Sequence, residues 1–531
     1  MSTAPATVVA LVVLAVAGFG PVVAAVGPRW STVPLAPLGG AVVAGLAATA
    51  SLSFGGPLLA WFALLAVAGG VAAVALRMVR PDLGPWSWAA DRRRGFDRHR
   101  AAGVVGVLAV VVTCAWSLRG LRTPTVGFDA RALWVMRPGW FLQSHAQLLV
   151  DMRSRGLVLT QSAYPPLVSA SAAVAWGVTG VHTARLGVTT VAVLNACALA
   201  AAALAVVEIG RTAATRLVGG SVPTATAGRG SVVEEGRQPW APMLVGAAAA
   251  VLLVLVAAGV TEPFLTNGYA DPLWSLAAVG AAAFGLQSRP DRSTRAATVV
   301  LVLVAGLSKD EGLVIALALV ALVVARSIGR AGLRGDRRRW RLPVVVGAVE
   351  VAVLSWWPLL MHAIGARGAS SSFTTSNGTA SRASAVVHGM SPYLHVLVLA
   401  VPLSVVAAVS LSAVRRRSGA GNDLWAWVAL AVGLVAVGGA LVTGTGAIGP
   451  WIRSTVHRIT EYPILEAWWI VAVWAVVASG AVGGPRVTGA EVERARPEER
   501  IDRVAPSDAP SDAPSDAPSD APSDAPVGAA N

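Results

Sequence analysis

The feature that most limits this chain is the recurrence of unbroken apolar runs about 20 residues long, the length a helix needs to cross the hydrocarbon of a bilayer. They fall at residues 6–26, 35–53, 57–77, 102–119, 183–207, 241–262, 271–287, 295–308, 312–326, 343–363, 393–413, 424–444 and 463–483. The runs are continuous and rich in Ala, Val and Leu. A membrane β-barrel needs short alternating segments instead, so helices are the reading. The expected fold is all-α, a polytopic transmembrane protein of about 13 helices. Composition agrees. Of 531 residues 13% are charged, against about 25% in a soluble domain, and mean hydropathy is +0.65.

The formal net charge of +14 would suggest a nucleic-acid partner in a soluble protein. Here the arginines cluster between apolar runs, at 77–100, 208–240, 288–295, 326–342, 414–423 and from 484 onward. No basic patch interleaved with aromatics is present, so no nucleic acid is expected. The positive-inside rule assigns these connections to the cytoplasm. The others, 120–182, 263–270, 309–311, 364–392 and 445–462, then lie outside. The two sets alternate if 164–181 does not span. That segment is short and opens with Pro165 and Pro166, which reads as a helix lying at the outer interface.

Three regions follow: N-terminal transmembrane helices over 1–100, a second transmembrane module over 101–485, and a tail over 486–531. The start of the chain lacks a positive region, so 6–26 reads as a retained first helix. The tail carries five APSD copies over 505–524. Proline at every fourth position and no apolar content predict a disordered cytoplasmic segment. Cys114 and Cys197 sit inside apolar runs and imply neither disulfide nor metal site.

Polar groups near a bilayer are costly, so their placement is informative. The first long outer connection begins TVGFDARALW, with Asp129 and Arg131, and runs on to Tyr164-Pro165-Pro166-Leu167. A second reads GYADPLW, where Asp271 opens a helix and Pro272 follows. Asp129 and Asp271 each suit a helix N-cap as well as a catalytic carboxylate. A third is Ser308-Lys309-Asp310-Glu311-Gly312, joining two short apolar runs as a kinked pair with its polar turn open to a cavity. Lys309 is the chain's sole lysine among 42 basic residues, which suits a compact ammonium chosen to meet phosphate. A fourth, Trp451 to Tyr462, holds Arg453, His457, Arg458 and Glu461. Arginines on the outer side oppose the positive-inside trend and suggest an anionic partner or lipid headgroups. Glu350, inside an apolar run, must be neutral, paired or turned to a cavity. Phosphate-cradling glycine loops, dinucleotide fingerprints and zinc motifs are absent from the sequence.

Taken in order, G-F-D-A-R-A-L-W, Y-P-P-L, G-Y-A-D-P-L and S-K-D-E-G resemble the GT-C superfamily of membrane glycosyltransferases. The nearest branch is that of protein O-mannosyltransferases and the lipid A aminoarabinose transferase. The resemblance covers about residues 100–330 by motif and extends to about 485 by helix layout. It implies transfer of a sugar, with inversion, from a polyprenyl-phosphate donor to a glycan, lipid or protein acceptor at the outer membrane face. Asp129 would be the base that deprotonates the acceptor, and Asp271 the second acidic position. Lys309 and Arg458 would bind the donor phosphate, with Arg131, Tyr164, Glu311 and His457 as further site residues. No cofactor is required, although Asp129, Asp271 and Glu311 offer ligands for a divalent cation. The Ala, Val, Gly and Arg bias suits a high-GC bacterium such as an actinobacterium, and hence a cell-wall product. A secondary transporter would instead show two matching halves with polar groups at mid-membrane. A polysaccharide polymerase or ligase of related architecture is a further reading.

Overall fold

A computed structural model gives the fold and describes residues 3–27, 30–79, 98–122, 126–127, 130–154, 162–219, 241–262, 264–286, 292–333, 340–366, 384, 388, 424–443 and 457–482. Among these the chain is all-helical. In order the helices are α1 (Thr3–Val26), α2 (Thr32–Phe54), α3 (Leu58–Val79) and α4 (Arg98–Ser117). A 3₁₀ turn (Leu118–Arg122) and a π-helical turn (Ala130–Val135) lead to the short α5 (Arg137–Phe141) and α6 (His145–Arg153). Then come α7 (Leu167–Thr179), α8 (Ala184–Gly219), α9 (Ala241–Thr261), α10 (Asp271–Gly285), α11 (Arg292–Ser308) and α12 (Asp310–Leu333). The last are α13 (Arg341–Ile364), α14 (Leu424–Thr443) and α15 (Glu461–Val482).

Among the described residues nine helices are long and apolar enough to cross a membrane. Their outer faces are themselves apolar. On α1 the residues Ala6, Ala10 and Leu14 are buried, whereas Val12 and Val16 on the other side are 54% and 69% exposed. A surface of that kind is stable against lipid and not against water. This is an integral membrane protein. The expected count of about 13 spans is not reached by the described helices. The run at 393–413 lies outside the described residues, α10 and α11, at 15 and 17 residues, reach only ~22 and ~26 Å, and α14 counts as an apolar helix only over Trp425–Gly439.

Two expectations change on packing. Helix α7 is short, as expected, but it does not lie on the surface. Every residue from Leu167 to Trp176 is buried, and α7 packs against α1, α2 and α8. Its small residues, Ser169, Ala170, Ser171, Ala172 and Ala173, let those helices close around it. Helix α8 runs to Gly219, past the expected end at 207. The described residues of 1–484 form one compact unit. Within it, α1–α3 join the rest through α1 and α2, which both pack on α7, α8 and α11. The APSD tail lies outside the described residues.

Close packing rests on glycine. At Gly40 an added Cβ would overlap the Leu14 carbonyl, and at Gly18 the Ala36 carbonyl. Helices α1 and α2 therefore touch backbone to backbone, the usual basis of helix association in lipid. Gly70 on α3, by contrast, has nothing within 4 Å of that position. Gly40→Ala is expected to lose about 1–3 kcal/mol and to melt several degrees lower in detergent, with Gly70→Ala near wild type. Equal melting of the two variants would remove this account of the α1–α2 contact.

Candidate functional site

The amino-terminal ends of α10, α12 and α15 converge, and each carries acid in its first turn: Asp271, then Asp310 and Glu311, then Glu461. The positive end of a helix favours such residues. Asp271 does not cap α10; the cap position is Ala270, which offers no side-chain bond. The Asp271 carboxylate is instead fully buried and paired with two cations. Lys309 Nζ donates to Oδ1 at 2.7 Å. Arg458 donates to Oδ2 from Nη2 at 3.0 Å and from Nε at 3.2 Å.

Lys309 is the single residue between α11 and α12. Its carbonyl accepts from Leu313 N at 2.9 Å, which starts α12 and turns the side chain inward. The ammonium also meets Glu311 Oε1 at 3.2 Å. Burial opposes its charge, yet the carboxylates of Asp271 and Glu311 hold Lys309 above the ordinary lysine range. Gly312 lets this turn form, because a Cβ there would overlap the Ala305 carbonyl and lie 2.8 Å from Trp274 Cβ. The expected break between the two helices is present. The Lys309 side chain, however, faces protein at 2% exposure, its charge offset by close counter-ions, while Asp310 of the same turn is exposed.

Arg458 stacks over the Tyr269 ring at 4.6 Å. Tyr269 meets Phe264 edge-on at 4.9 Å, and the His457 ring lies 5.0 Å from Phe264. The turn carrying these aromatics is pinned by Asn195 on α8, whose Nδ2 donates to Leu265 O at 3.1 Å and Tyr269 O at 3.3 Å. On the other side the Ser275 hydroxyl lies 3.2 Å from Glu461 Oε2. The Tyr164 ring sits 6.0 Å from Lys309 Nζ and stacks on Trp134.

The structure thus brings together Tyr164, Asp271, Lys309, Glu311 and Arg458, with His457 at the edge. Asp129 lies outside the described residues, as does Arg453. Its described neighbours pack near the site: a Cβ at Gly127 would overlap the Tyr269 ring, and Ala130 Cβ lies 3.2 Å from the position of one at Gly268. Arg131 is exposed, and only its backbone joins a local bond, to Gly127 O at 2.9 Å. Glu350 on α13 is buried with Oε1 unpartnered. Among the described residues no three metal-ligating side chains cluster, and between Asp271 and Glu311 lies the Lys309 ammonium. Asn195 and Ser275 are contributors that reading the sequence missed. A polar residue inside the run VAVLNACALA was the available signal for Asn195.

No protein-family model matches the chain, and no curated protein or solved structure matches it either.

Removing one partner of a buried ion pair leaves an uncompensated charge, at about 3–5 kcal/mol. Asp271→Ala is therefore expected to cost that much in detergent unfolding, whereas Arg131→Ala, at an exposed position, is expected to stay within about 0.5 kcal/mol of wild type. An Asp271→Ala protein as stable as wild type would mean that the network does not hold the helix ends.

Proposed function

We propose that this protein is a membrane glycosyltransferase that moves a sugar from a polyprenyl-phosphate carrier to an extracytoplasmic acceptor. The observation that supports the reading best is convergence. Tyr164, Asp271, Lys309 and Arg458, drawn from four separated polar segments, meet where three helices begin. In this reading the connections that hold them lie on the outer face, and the arginine-rich ones and the tail lie in the cytoplasm.

The chemistry needs one base, a leaving group and charge stabilisation. Asp129 accepts the proton of the acceptor hydroxyl as its oxygen bonds to the anomeric carbon. The bond from that carbon to the phosphate oxygen breaks, its electron pair leaves with the polyprenyl phosphate, and configuration inverts. Cations then stabilise the charge that develops on the phosphate. Asp271 serves to position Lys309 and Arg458, since both of its oxygens are engaged. A phosphate reaches those two cations by competing with that carboxylate.

One observation favours a secondary transporter instead. The interrupted α11–α12 pair with a buried charge at the break resembles the discontinuous helices that build transporter sites. Sugar transfer separates the two readings. Full-length protein in lipid is given labelled polyprenyl-phosphate sugars and a membrane extract as acceptor. Wild type is expected to label the acceptor, and Asp129→Asn to lose at least about 100-fold in rate with unchanged melting. Transfer by Asp129→Asn at the wild-type rate would remove the base. Failure of folded wild type with every donor would favour transport, which uptake into vesicles then measures.

A further inference from the structure

The network around Asp271 is balanced, with Lys309 and Arg458 set against Asp271 and Glu311. A third cation nearby has no carboxylate in hydrogen-bond contact among the described residues. Arg137 opens α5 and is fully buried. Its Nη2 donates to Tyr164 O at 2.9 Å and to Ser162 O at 3.4 Å, but Nε and Nη1 have no partner. Burial lowers the guanidinium to about 10 while Asp310 acts through space to raise it, so it is charged at neutral pH. Three residues earlier, on the preceding turn, Trp134 is also buried with its Nε1 unpartnered. Its ring stacks on Tyr164 at 5.8 Å between centroids and 15° between planes. Three unmatched nitrogens carrying four N–H groups, on two side chains that both touch Tyr164, therefore surround a positive charge that no carboxylate hydrogen-bonds among the described residues.

Holding the turn at 162–164 does not account for a charged group. The carbonyl between those two, Ala163 O, is held by a neutral donor, Trp357 Nε1, at 2.8 Å. Asp310 offsets that buried charge only through space, and buried donors are as a rule matched, so the open nitrogens call for acceptors. An anion with several acceptor oxygens satisfies both requirements at once, and arginine beside an indole N–H suits phosphate.

We propose that Trp134 and Arg137 form an oxyanion site, beside Tyr164, that receives a phosphate group. The site goes beyond the transferase reading, because it needs a phosphate and no sugar transfer. That phosphate is carried either by a lipid or by a water-soluble ligand, and binding separates these sources. Full-length protein in phosphatidylcholine nanodiscs is titrated with labelled phosphatidic acid and, separately, with labelled inorganic phosphate. Saturable binding of at least one probe is expected. Arg137→Gln should weaken it by about tenfold or more. Trp134→Phe, which keeps the ring but removes its N–H, should weaken it severalfold and decides the matter if Arg137→Gln does not fold. Binding of the lipid probe alone assigns a lipid-borne phosphate, and binding of the inorganic probe assigns a free one. Absence of saturable binding of both, or wild-type affinity in folded Arg137→Gln and Trp134→Phe, would overturn the site. A protein that binds through Arg137 yet transfers no sugar keeps this inference and loses only the transferase.

Discussion

The pairing of Asp271 with Lys309 and Arg458 is the interaction on which the functional end of the bundle depends. Each ion alone is several kcal/mol too costly to bury. Together, with Glu311 as a second carboxylate for Lys309, they form a set that can be enclosed by apolar helices. The members come from the start of α10, the break before α12 and the approach to α15. Burying them fixes the relative positions of three helix ends, something that apolar contacts between interchangeable Ala, Val and Leu side chains do not specify as strictly.

Close backbone approach makes that arrangement sterically possible. Gly312 admits α12 against Ala305 on α11 and Trp274 on α10, while Gly280 brings α10 to Leu301 of α11 at 3.0 Å from a built Cβ. The same economy of small residues joins α1 to α2 and encloses α7. In lipid, where apolar burial between helices gains little, such contacts and internal polar bonds carry much of the association. The asparagine bonds from Asn195 to the Leu265 and Tyr269 carbonyls belong to this second class. They hold the aromatic turn on which Arg458 stacks.

Charge around the site falls into two kinds. Lys309 and Arg458 have carboxylate partners, so their geometry is set before any ligand arrives. Arg137 has carbonyl partners for one nitrogen and none for two. A paired network next to an arginine with open donors is an arrangement suited to recognition. The first part fixes where its cations sit before a ligand arrives, and the second supplies open donors.

The sequence by itself determined the class of the protein. Continuous apolar runs of bilayer length, such as 6–26 and 343–363, allow only helices, because lipid offers no partner for unpaired backbone groups. It also identified Asp271, Lys309 and Arg458 as unusual, since charge near apolar text is costly wherever it sits. It did not say what those charges are for. Lys309 and Arg458 read as ligand cations, and the fold adds that both pair with Asp271. Segment 164–181 read as a surface helix until α7 was seen enclosed by α1, α2 and α8. Arg137, inside an ordinary VMRPGW segment, gave no signal at all. Periodicity and composition report what one helix costs in lipid. Which charges face each other, and which donors are left unmatched, depends on contacts between distant residues such as Asp271 and Arg458, 187 positions apart, and only the tertiary structure decides those.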